Sequence, residues 1–234
     1  MVELVYSPQW FYGKDIMIDL VSVVVLLLIA FFALKYYGMN KKNKNYLQLA
    51  LSFFMLAVAF AMKILTYFTI YYKDIETKSI GTFVLTFQTV KSSYLLIFIG
   101  EFFYHLLTLY GLYMLYSIYK KKQPWSTKFL IFYLIFLVTL FCHNIYYIFH
   151  LTCLMLLVFV TYHYYYNFKR NRKAPSKFLF LSFFIIALSQ ISFVFIQLWD
   201  DLYATAEVVQ LIGYILLLIT FIMVLFYGKK TRQA

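Results

Sequence analysis

The side chains that could carry chemistry lie within runs of apolar residues: Asp19, Lys63, Glu101, His105, Gln190, Gln197, Glu207 and Gln210. An ionisable group at membrane depth is costly, and is kept where it faces a partner, a cavity or an ion path. Asp19 also fits an interfacial position near the start of its helix. Lys63 can snorkel to a surface or pair with Asp19 or Glu101. Glu101 and His105 are four residues apart and share one face of a helix. That spacing suits a metal pair, a proton relay or a hydrogen bond that locks two buried groups, and His150 is a further candidate ligand. The glutamines can bond between helices, for about 0.6–2 kcal/mol each, and Glu207 can cap the helix it opens. Their similar depth predicts a polar cavity, open to one side, that holds a small ligand or an ion.

The elements that must position these groups follow from composition. The chain has 234 residues, is 64% hydrophobic, 23% aromatic and only 13% charged, with a mean hydropathy of +0.79. A soluble domain could not bury that much apolar surface, so the excess faces lipid. A spanning helix needs roughly 20 apolar residues. Runs of that kind occupy residues 16–37, 46–72, 94–119, 178–198 and 206–227. The stretch 129–168 is twice the roughly 20 residues one span requires, and His143-Asn144 is its polar midpoint. It divides into 127–143 and 145–168. The expected fold is an all-α, seven-transmembrane helix bundle forming one domain over residues 1–234. Between the second and third spans, the alternation Thr82-Phe83-Val84-Leu85-Thr86-Phe87 predicts a short hairpin over one membrane face.

Charge orients the bundle. The loops after spans one, three and five and the segment after span seven hold Lys41, Lys42 and Lys44, then clusters at 120–122, 169–177 and 229–232, with no acid among them. The positive-inside rule makes this face cytoplasmic and puts the N-terminus outside and the C-terminus inside. Six spans would put the clusters at 120–122 and 169–177 on opposite sides, so the charges independently support dividing the long run. The net charge of +12 then reflects topology in a cell membrane. Its partners are anionic headgroups at the cytoplasmic face, not nucleic acid, for which no basic domain exists. The start of the chain has no basic leader before an apolar core, and Ser7-Pro8-Gln9-Trp10-Phe11-Tyr12-Gly13 reads as an ordered, interface-seeking segment. Cys142 and Cys153 make no metal or redox spacing.

No Gly-rich phosphate loop, nucleophile elbow or H-E-x-x-H is present. The expectation is a protein that is not an enzyme. The last span holds no lysine, so a retinal Schiff base there is excluded. Other cofactors stay open, haem on His105 with His143 or His150 among them. The aromatic load reads mainly as lipid-facing surface and interface belts, as at Tyr71-Tyr72 and 162–166.

The segment Glu207-Val208-Val209-Gln210-Leu211-Ile212-Gly213-Tyr214, with Ser189-Gln190 before it, resembles the last two helices of archaeal seven-helix membrane modules. These occur alone or as input regions of sensory proteins such as histidine kinases. Glu207 stands where their pattern has a histidine, and Gln190 where it has the histidine of a Ser-His pair, so both histidines of that pattern are replaced. The resemblance implies a receptor or sensory role relayed to a separate cytoplasmic partner. The alternatives are a small-solute or proton/ion transporter and a haem- or metal-binding redox protein.

Overall fold

The computed structural model describes residues 7–39, 41, 43–79, 86–119, 124–142, 145–172 and 174–230, with the backbone alone for 9, 70–79, 86–94 and 225–230. The described residues are helical, without strands, and seven of the helices are long and apolar enough to cross a membrane. They are α1 (Lys14–Met39), α2 (Lys44–Ser79), α3 (Thr86–Ser117), α4 (Trp125–Cys142), α5 (Tyr146–Asn171), α6 (Ala174–Val194) and α7 (Asp201–Lys230). Short 3-10 turns precede α1 (Gln9–Phe11) and follow α6 (Ile196–Leu198). The chain is a multi-pass membrane protein.

The long apolar stretch divides as its polar midpoint predicts, with α4 ending at Cys142 and α5 beginning at Tyr146. His143 itself lies outside the described residues. Several helices run past their apolar limits. Apolarity marks only the part of a helix in lipid, whereas the backbone ladder continues wherever its polar groups remain paired. Thus α2 continues to Ser79 and α3 starts at Thr86. The expected hairpin is corrected there: Thr86 and Phe87 are helical, and 80–85 lie outside the described residues.

Helix α1 packs on α2 and α7, α2 on α3, and α6 on both α5 and α7, while α4 is peripheral. Leu26, Ile29, Phe53, Leu109, Leu157 and Leu217 lie fully buried at the centre. Phe31, Phe54, Phe141 and Tyr162 point outward, as expected of side chains solvated by lipid. Two glycines bring the backbone of one helix close to that of another. A Cβ on Gly213 of α7 would fall 2.5 Å from Ile186 Cγ1 and 3.3 Å from the Ser182 carbonyl of α6. One on Gly111 of α3 would fall 3.2 Å from the Ser52 carbonyl of α2. Small residues let backbones approach where dispersion, rather than a hydrophobic drive, holds helices together.

The segment before α1 folds over the same end as the α6–α7 connection. Trp10 Nε1 donates to Asp201 Oδ1 (3.1 Å), and Phe11 packs edge-on against Tyr203 in a small second core with Phe193 and Ile196.

Candidate functional site

Three helices bring ionisable groups to one depth. Asp19 lies five residues after the start of α1, and Glu207 six after the start of α7. At 1.5 Å per residue these two are about 8–9 Å from the same end of the bundle, and Lys63 of α2 meets both of them there. Lys63 Nζ donates to Asp19 Oδ1 at 3.1 Å and to Glu207 Oε1 at 2.5 Å. Asp19 Oδ2 is also 3.1 Å from Nζ but without hydrogen-bonding geometry. All three residues are buried, Asp19 and Glu207 almost completely. Asp15, one turn before Asp19 on the same face of α1, is buried as well.

The ammonium stands in an aromatic enclosure. Its Nζ lies 5.5–6.0 Å from the ring centres of Phe60, Tyr67, Tyr104 and Tyr203, within the range of a cation–π interaction. The hydroxyls of Tyr67 and Tyr203 bond to each other across the α2–α7 gap. From Tyr104 ring contacts run through Phe149, His150 and Phe193 to Tyr203 and so back to Lys63. Five helices contribute to this closed circuit.

His150 and Gln190 form a second polar pair on it. Gln190 Nε2 faces Ser189 Oγ (3.4 Å), leaving Oε1 directed at His150 Nδ1 (2.9 Å). With the amide in this orientation Nδ1 is the donor, and Nε2 is buried and without a hydrogen-bond partner among the described residues. A neutral imidazole anchored through Nδ1 is how proteins present a histidine to a metal or a donor. Among the described residues no group of three His, Cys, Asp or Glu side chains could hold a metal ion.

The other expected residues are distributed as follows. His105 is buried with its ring 4.2 Å from that of Phe149, and its α3 neighbour Tyr104 brings its ring to Lys63. Glu101 is half-buried three residues earlier on that helix. Gln210 donates to the Tyr214 hydroxyl one turn on (3.0 Å). Two expectations are corrected. Gln197 is exposed, because α6 stops at Val194 and the 3-10 turn rotates it out of the bundle. Glu207 does not cap α7: the helix begins at Asp201, whose own carboxylate occupies the first turn.

Sequence reasoning missed the enclosure, since Tyr67, Tyr104 and Tyr203 sit among many tyrosines of the interface type. The available signal was spacing. Tyr67 and Phe60 flank Lys63 at four and three residues, on its face of α2.

The fold and cluster define an integral membrane protein of seven helices with a buried carboxylate–ammonium–carboxylate group. Compared with known protein families, curated proteins and solved structures, the chain matches none of them.

Proposed function

We propose that this is a receptor- or sensor-type protein of the cell membrane whose sensing element is the Asp19–Lys63–Glu207 cluster. The observation that carries the reading is the position of the Lys63 ammonium, 3.1 Å from one buried carboxylate and 2.5 Å from another. Two carboxylates against one ammonium leave a surplus negative charge in a site without bulk water. Such a charge is expensive unless something neutralises it. A proton or a small cation would do so, and a ligand bearing a cationic group would compete with Lys63 for Asp19 and Glu207.

The cluster ties α1, α2 and α7 together, and all three run on to the basic end of the bundle. Binding therefore changes the force between helices whose far ends can meet a cytoplasmic partner. By the positive-inside rule the cluster lies towards the outer face. The likeness of Glu207 to Tyr214 to sensory modules points the same way. Towards the basic end Ser52, Ser182 and Thr220 donate to carbonyls of their own helices.

The test is thermal unfolding of the full chain in lipid nanodiscs, with sodium, potassium or an organic ammonium ion added at constant ionic strength. At least one cation should raise the midpoint, and Asp19→Asn, which removes the surplus charge, should abolish the rise. A midpoint indifferent to every cation and to pH, or a response unchanged in Asp19→Asn, overturns the reading.

A further inference from the structure

At the opposite end of the bundle, a cleft of about 520 Å³ lies where α5 hands over to α6. Its walls are Tyr165 and Phe168 on the last turns of α5, Ala174 at the start of α6, and the cations Lys169, Arg172 and Lys177. No acid lines it. Three exposed cations around one opening make a local positive potential that attracts an anion. Two local features sharpen this. Helix α6 opens with no acidic residue in its first turn and carries Lys177 there, although its macrodipole favours negative charge at that end. The backbone at Arg172 is left-handed, with φ 48°. That conformation normally selects glycine or asparagine after a helix, and here it is held by an arginine whose amide donates to the Phe168 carbonyl (2.8 Å).

We infer that this cleft binds the phosphate of an anionic phospholipid. The chemistry the cations recognise is a phosphate group, which a free phosphate compound also carries. The lipid is favoured by the walls. Tyr165 and Phe168 continue down α5 into the part of the helix apolar enough to sit in lipid, so a headgroup held by the three cations has an apolar surface beside it for its acyl chains. Basic pockets between helices at a membrane face bind lipid headgroups in this way. The inference is independent of the function assigned to the Lys63 cluster.

The experiment is native mass spectrometry of the full chain released from nanodiscs containing phosphatidylglycerol and phosphatidylcholine of matched acyl chains. Wild type should retain phosphatidylglycerol about tenfold or more over phosphatidylcholine. The triple variant K169Q/R172Q/K177Q should lose that preference, and K35Q/K41Q/K44Q, which removes as much charge from the same end, should keep it. If the first triple variant does not fold, K169Q and K177Q singly, which leave the Arg172 cap in place, should each weaken retention several-fold. Equal losses in the two triple variants would mean diffuse surface attraction and overturn the site. Displacement of the bound lipid by inorganic phosphate at matched ionic strength would overturn the lipid assignment in favour of a soluble phosphate compound.

Discussion

Lys63 and Glu207, 144 positions apart in sequence, meet inside the bundle with Nζ 2.5 Å from Oε1. Helices α2 and α7 each pack along α1 and reach one another through side chains: this ion pair, the Tyr67–Tyr203 hydroxyl bond and the edge-on contact of Phe60 with Tyr214. The charge pair is therefore a connection between helices as well as a site.

Lys63→Met should destabilise the protein strongly, by about 3–5 kcal/mol, because it strands two carboxylates in a dry interior. Adding Asp19→Asn and Glu207→Gln removes the stranded charges and should restore most of the loss. Size-exclusion recovery after heating in detergent reads both. Equal melting of Lys63→Met and wild type would remove the cluster from any account of how the helices are held.

Gly213→Ala should cost about 1–3 kcal/mol, since the new methyl group meets Ile186 Cγ1 and nearby α6 backbone. Ile186→Ala clears the side-chain part of that clash. The double variant should therefore lose less than the sum of the singles in the same melting assay. Strict additivity would show that α6 and α7 do not approach through this glycine.

The seven spans were legible because lipid demands about 20 apolar residues per helix and because lysines mark one face. Pairing of Lys63 with Asp19 was legible too, as one of its options, from the cost of a lone buried ammonium. Glu207 was harder. The apolar run suggests a helix beginning at residue 206, which makes a carboxylate there read as a cap. The helix begins at Asp201, and this extra turn and a half carries Glu207 down to the level of Lys63. Helix ends outside lipid follow local backbone bonding, which hydropathy does not record. The 3-10 turn that expels Gln197 escapes detection for the same reason, and the hydrogen bond between His150 and Gln190 depends on a helix–helix register that no single-helix pattern contains.

The two glutamines of the α6 region make a paired test. Gln190→Leu leaves the Nδ1 proton of buried His150 without its acceptor and should cost about 1–3 kcal/mol. Gln197→Ala, at an exposed position, should change stability by less than about 0.5 kcal/mol. Comparable losses from both would contradict the placement of the turn after α6.

Arg172 allows backbone and charge effects to be separated. Its φ of 48° places a Cβ where the left-handed conformation crowds it, at a cost of about 1–2 kcal/mol relative to glycine. Arg172→Gly should therefore melt higher than Arg172→Ala, by about 1 kcal/mol after allowing for the greater freedom of glycine in the unfolded chain. Both variants remove the same cation from the cleft between α5 and α6. They should accordingly lose phosphatidylglycerol retention to the same extent while differing in stability. A higher melting point for the alanine variant would mean that the chain does not turn through a left-handed residue at this position. Unequal lipid retention would mean that the conformation of the turn, rather than the guanidinium, shapes the cleft.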